Sequence, residues 1–375
     1  MLLFLLAPVS IIKSESELKK MKKWLIALTA LIALALPLAA CKQQAKPKAA
    51  PVIQTPYKDT QFLMGTVVNL SVYNKGKESA LDDGFARIKQ LAKEITVNQK
   101  GSEVDAVNKQ AGIKPVKVTK SVYALIKYAK AYSERSNGSF DLAIGPVTQL
   151  WHIGFSDARK PAQSEIDAVL PLVHYQDVVL NDKQQTVYLK KKGMQLDLGG
   201  IAKGFIADEV VKVFKKDGVN TAIIDLGGNI FVMGHSPKAK NRPWTVGIQD
   251  PKASRGTSIG TVPAANITVV TSGIYERHLV VDGHNYSHLM NPKTGYPFEN
   301  NLAGVSIITK KSVDGDALST ATFDKGLKDG MAFIEKQKDA EAIFITKDKK
   351  VYVSSGLKKT FELIPDTGYK LATLK

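Results

Sequence analysis

Cysteine is nearly absent. Cys41 is the only one in 375 residues, and it lies ahead of the folded part. No disulfide framework, cysteine–metal centre or cysteine nucleophile is therefore available. Arginine is scarce beside lysine, and no basic helix with interleaved aromatics is present. A formal net charge of +17 thus does not point to a nucleic-acid-binding module. It reads as a lysine-rich surface, or as a field that attracts a phosphorylated ligand and anionic lipid. Histidines at zinc-protease spacing, a G-x-S-x-G elbow around Ser272, a P-loop and a G-x-G-x-x-G fingerprint are all missing.

With 44% apolar residues, the chain can bury a large core as one large or two closely packed domains. The first 40 residues read as leader rather than fold. Met21-Lys22-Lys23 is a positive start, Trp24 to Leu36 an apolar run, and Leu38-Ala39-Ala40-Cys41 a small-residue end. The run is short for a membrane span. The Cys after Leu-Ala-Ala resembles the bacterial lipoprotein box. That resemblance implies lipidation (a palmitate-type acyl group) at Cys41, a signal peptide removed before it, and a lipid-anchored protein on the periplasmic face of a bacterial membrane. Residues 1–20 read as an upstream extension. Residues 41–56, rich in Lys, Pro, Ala and Gln, read as a tether. The folded domain is expected over 57–365, with a tail at 366–375.

Thr66 to Val72 alternates as a strand, and Ala80 to Thr96 carries apolar residues at helical spacing. Thr119 or Ser121 starts another helix. Val178–Leu180 and Thr186–Leu189 flank a hairpin turn. Met194–Leu198 reads as a short strand ending in Gly199-Gly200, followed by a helix over Ala202–Phe214. Thr221–Asp225 ends in a second Asp-Leu-Gly-Gly, which suggests a weak internal repeat. The second half is strand-rich, with helices expected at Asp316–Phe323 and Gly330–Gln337. Local strand pairing with packed helices gives the class α+β, with mixed, largely antiparallel sheets.

Three segments carry chemistry. In Asp197–Gly204 a glycine pair opens a helix, so backbone N–H groups face outward and Lys203 adds a point charge for phosphate. A tight structural turn explains the same residues equally well. In Asp316-Ala317-Leu318-Ser319-Thr320, Asp316 and Thr320 share a helix face. Carboxylate and hydroxyl oxygens there suit Mg²⁺, although an N-cap aspartate would look the same. His288, between a strand and a Pro/Gly turn, is a candidate base or a structural histidine.

Taken in order, these segments resemble the ApbE family of flavin transferases. The matching pieces are Met64-Gly65-Thr66, Ser139-Phe140-Asp141 with Gly145-Pro146, Asp197–Gly204, Asp225–Asn229, Thr271–Arg277, Ser287–Gly295 and Asp316–Ala321. The resemblance implies a T-fold-related α+β fold with an FAD cleft between two subdomains. It implies Mg²⁺-dependent transfer of the FMN half of FAD to a Thr or Ser hydroxyl of another protein, with AMP released. Met64, Asn98, Ser139, Phe140, Asp141, Asp197, Lys203 and Met290 would contact FAD. Asp316, Ser319 or Thr320, and a backbone oxygen at Gly200 would bind Mg²⁺, and His288 would be the base. The implied acceptors are flavoprotein subunits of membrane redox complexes of the NADH:quinone oxidoreductase or Rnf type. Two positions depart from the family pattern. Asn98 stands where many members have a Tyr, which leaves FAD pyrophosphatase or simple flavin binding as alternatives. Asn291 replaces an Asp, and a turn role is expected for it.

Overall fold

The structure is a computed structural model that describes residues 15–16, 19–20 and 50–374. The leader, Cys41 and most of the expected tether lie outside the described residues. Among those described, no helix is long and apolar enough to cross a membrane.

A nine-stranded sheet organises the molecule. Its spatial order is Val52–Leu63, Thr66–Asn74, Ala222–Leu226, Asn229–Met233, Ile267–Gly273, Leu302–Thr309, Ala340–Thr346, Lys350–Val353 and Lys370–Leu371. All its pairs are antiparallel except the last. Three small sheets accompany it, so the α+β reading holds. In Thr66–Asn74, Val68, Leu70 and Val72 point into the core, as period-2 alternation requires. The Leu302–Thr309 strand is buried at every residue, because both faces of the sheet are covered. Val305, Ile307 and Phe344 pack towards helices Gly199–Lys216 and Ser312–Glu335. Their neighbours Ile308, Ile343 and Ile345 pack towards Trp244–Gln249 and Ser258–Ala264. A strand covered on both faces reads as a continuous apolar run.

Helices Gly199–Lys216 and Ser312–Glu335 cross in direct contact. A Cβ at Gly204 would lie 2.2 Å from the Ser312 carbonyl oxygen, so only glycine fits there. Two carboxylates brace the crossing in opposite directions. Asp208 accepts from the amides of Ser312 (2.9 Å) and Val313 (3.0 Å), capping the second helix from the first. Asp316 accepts from the Gly204 amide at 2.8 Å. Burial, aided by the charge of Asp314, pushes the Asp208 carboxyl from 3.8 up to about 6, outweighing the two amide bonds. Asp208→Ala would leave two helix-start amides without partners, a loss of about 1–3 kcal/mol seen as a lower denaturation midpoint. Because the folded-state value is raised, the stability the carboxyl contributes is present below about pH 4 and is lost as pH rises through about 6. The stability advantage of wild type over Asp208→Asn should therefore shrink across that window.

Several sequence expectations shift. The two Asp-Leu-Gly-Gly segments are not a structural repeat. Gly199-Gly200 open a helix, whereas Gly227 (φ +67°) and Gly228 (φ +95°) form a two-residue hairpin turn. Met194–Leu198 is not a strand. The side chain of Asn108 occupies the Leu196 amide (2.7 Å) and carbonyl (3.1 Å), leaving a lone bridge between Gln195 and Ile144. The helix expected from Asp316 starts at Ser312, so Asp316 is interior and not an N-cap. It joins the helix expected from Gly330 across a kink at Gly326 (φ 71°). The sheet begins at Val52, inside the expected tether, and the tail supplies the strand Lys370–Leu371. Each segment hydrogen-bonds to a neighbouring strand that its own composition does not reveal.

Candidate active site

The site gathers at one end of the large sheet. Met64 (φ 54°) and Gly65 (φ 69°) form the two-residue turn between the first two strands. Both being left-handed, this is the twist-matched hairpin turn, and Met64 adopts it without glycine's freedom. The tip at Gly227 abuts it, since a Cβ there would meet Thr66 Oγ1 at 2.0 Å.

His288 is placed by a second hairpin. His278–Val281 pairs with His284–Ser287 around Asp282 (φ 52°) and Gly283 (φ 76°). The ladder continues one step, so the His288 amide donates to the Arg277 carbonyl at 3.1 Å. The same oxygen receives Nδ1 of the ring at 3.1 Å. Nδ1 therefore carries the proton and Nε2 is left as an acceptor. Burial, with smaller effects from the charges of Lys203 and Arg277, holds the imidazole down at about 4. The ring is neutral near pH 7.

His288 and Met290 line a small pocket of about 40 Å³ together with Thr148, Trp151 and Ile153. The Thr148 hydroxyl donates to Asp197 Oδ2 at 2.7 Å. Asp197 Oδ1 accepts from the Gly199 amide at 2.8 Å, which ties this pocket to the helix start. Gly200 sits between Phe140 and Thr320. A Cβ there would be 3.2 Å from the Phe140 ring and 3.2 Å from Thr320 Oγ1.

Asp316 is 4% exposed, and burial raises its carboxyl while the charge of Lys203 opposes that. Among the described residues it has no ion-pair partner. An unpaired buried carboxylate is costly, so a cation fits here. Ser319 is already engaged, donating to the Asp316 carbonyl (2.8 Å) and paired with the Ser272 hydroxyl (2.7 Å). Thr320 has no such bond among the described residues and faces Gly200. The donor set is all oxygen, with one carboxylate, which suits Mg²⁺ better than zinc. Among the described residues no cluster of three or more His, Cys, Asp or Glu forms a metal cage.

The remaining expected residues sit around this centre. Asp141 spends its carboxylate on the amides of Ala143 (2.7 Å) and Tyr175 (3.1 Å), so it holds the loop that carries Phe140. Ser139 accepts from Lys325 Nζ at 3.1 Å and donates to Asp324. Asp324 in turn accepts from Asn291 Nδ2 at 3.0 Å. Asn291 also accepts from the amides of Lys293 (2.8 Å) and Thr294 (3.2 Å), the turn role expected for it. Asn98 is exposed and bonds Gln149 at 3.0 Å. The sequence reading assigned no role to Thr148 or Arg277. The Asp282-Gly283 pair was the available signal for the hairpin that faces Arg277 with His288.

The ApbE family profile matches residues 64–344. A protein of Klebsiella pneumoniae named FAD:protein FMN transferase is 38% identical over 84% of this chain and 96% of its own length. One of the same name from Treponema pallidum is 36% identical over 80% of this chain and 87% of its own. The crystal structure of the ApbE protein of Thermotoga maritima superposes with a TM-score of 0.76 at 29% identity, covering 82% of this chain and 99% of that one. By sequence over most of its length, and by fold, the chain belongs to the ApbE family.

Proposed function

We propose that this protein transfers the FMN half of FAD to a Thr or Ser hydroxyl of an acceptor protein. The observation that carries the reading is the juxtaposition of a base with a free Nε2, two cations and a buried, unpaired carboxylate at one sheet end. Lys203 lacks an ion-pair partner among the described residues and suits a diphosphate, and the Arg277 charge adds to the positive field there. His288 accepts the hydroxyl proton through Nε2 while Nδ1 stays fixed on the Arg277 carbonyl. The hydroxyl oxygen bonds to the FMN-side phosphorus as the bridging P–O bond breaks, and AMP departs. Mg²⁺, held by Asp316, Thr320 and the Gly200 backbone oxygen, would offset charge on the diphosphate when bound. Met64, Phe140 and Met290 supply apolar contact for the flavin and nucleotide.

The lipobox at Cys41 supports a lipid-anchored enzyme on the periplasmic side of a bacterial membrane. Flavoprotein subunits of membrane redox complexes, of the NADH:quinone oxidoreductase or Rnf type, would then be the acceptors. Asn98 favours a second reading: an exposed amide in place of an aromatic cover leaves the flavin open to water, so hydrolysis to FMN and AMP competes. Incubating the protein with FAD, Mg²⁺ and such a subunit should add one FMN to the subunit by mass, with matching AMP. AMP release with no adduct would replace transfer by hydrolysis.

A further inference from the structure

Arg277 sits where the two halves of the site meet, and its contacts are of two kinds. Its guanidinium Nη2 donates to the carbonyls of Met64 and Gly65, each at 3.3 Å. Its own carbonyl accepts both nitrogens of His288 described above. The side chain runs through a slot left by glycines. A Cβ at Gly65 would lie 2.6 Å from Nη2, and one at Gly154 would lie 2.8 Å from Cδ. Both glycines have positive φ, 69° and 98°. Among the described residues no carboxylate pairs with the guanidinium. A structural arginine usually has one, because burying an uncompensated charge is costly. Here two backbone carbonyls take its place.

From this we infer that Arg277 is a positioning residue that locks the Met64–Gly65 turn and the His288 ring into one frame. The turn needs such support. Met64 is a non-glycine residue in the left-handed region, a conformation that persists only where its surroundings over-determine it. Nη2 supplies that by gripping two successive carbonyls, those of the Met64–Gly65 and Gly65–Thr66 peptide groups. At its other end, Arg277 fixes the imidazole by tautomer and by orientation. One residue therefore couples the apolar contact expected to hold the flavin with the base expected to accept the proton. Lysine does not reproduce this, because its stem ends one bond short of the Nη2 position that makes both contacts and its ammonium is free to turn to water.

The inference rests on the proposed function only in taking His288 as the base. Its test uses AMP release, which FMN transfer and FAD hydrolysis both produce. A missing acceptor adduct would thus sink the transfer reading and leave this one standing. Arg277→Lys keeps the charge and most of the stem. It should raise KM for FAD by about tenfold to a hundredfold, as expected for lost charge-assisted hydrogen bonds that position a binding residue. It should also lower kcat, with the thermal midpoint little changed. Arg277→Met removes the charge as well. The other charge acting on the imidazole is Lys203, which stays in place, so the acid limb of kcat/KM should move to higher pH in this variant and not in Arg277→Lys. If Arg277→Met does not fold, Arg277→Lys with its KM and kcat carries the test. Unchanged KM and kcat in Arg277→Lys would overturn the inference. So would unchanged KM and kcat in a folded Arg277→Met.

Discussion

Asp316→Ala is expected to lower AMP release from FAD by about 10³-fold or more, with the fold intact. Asp316 is the only carboxylate in the oxygen set beside Gly200 and Thr320. Charge neutralisation at a diphosphate is worth several kcal/mol in the transition state, and each 1.4 kcal/mol is about tenfold in rate. The variant separates a cation-binding role from a packing role. In wild type without metal, the carboxylate is buried and held by the backbone amides of Lys203 and Gly204, with the Lys203 charge nearby. Removing it gives up those bonds and also removes a buried charge that has no ion-pair partner among the described residues. Metal-free stability should therefore change little. Wild type should gain thermal stability on adding Mg²⁺, as any ligand of the folded state provides, and the variant should not. A variant that still gains stability with Mg²⁺ would place the ion elsewhere.

His288→Asn should reduce FMN transfer by about 10²–10⁴-fold, the usual contribution of a positioned base. Asparagine can still donate to the Arg277 carbonyl, so the hairpin end keeps its anchor, but no Nε2 remains to take a proton. FAD binding, measured by flavin fluorescence, should persist. The pH dependence has a definite sign. Burial holds the free imidazole at about 4, so the active, neutral form is lost only in strong acid, and kcat/KM should fall there. In the complex the bound diphosphate brings negative charge that stabilises the imidazolium. The limb in kcat should therefore lie at higher pH than the limb in kcat/KM. In His288→Asn both limbs due to this residue should vanish. Transfer at wild-type rates in the variant would remove His288 from the reaction.

Much of the fold was legible because its strands obey simple rules. Thr186–Leu189 has the expected bounds, and Val178–Asn181 runs one residue past its expected end. The Ala80 helix ends within a residue of expectation. Failures came where tertiary partners overrule local pattern. Leu196 has strand composition, but Asn108 takes both its backbone groups. Asp316 looks like an N-cap because the true helix start, Ser312, is capped by Asp208 from another helix, and no local window shows that. The two Asp-Leu-Gly-Gly segments are identical in sequence and different in backbone. One leads into residues that favour a helix, and the other into a strand that pairs at once with its predecessor. At the site, residue types with intrinsic chemistry stood out, as with Asp316, His288 and Lys203. Arg277 did not, because its importance lies in two carbonyls 212 and 213 positions away and in a backbone oxygen that any residue would carry.

The glycine-close crossing of helices Gly199–Lys216 and Ser312–Glu335 limits how members of this architecture can diverge. Gly204, Asp208, Ser312 and Asp316 form an interlocked set in which a change at one requires an answering change at another. The diphosphate-facing half of the enzyme is thus a fixed anvil. The tip at Asp282–Gly283 has the room that the crossing lacks, since a Cβ at Gly283 would meet nothing within 4 Å among the described residues. The tip at Met64–Gly65 lacks that room, because a Cβ at Gly65 would lie 2.6 Å from Arg277 Nη2.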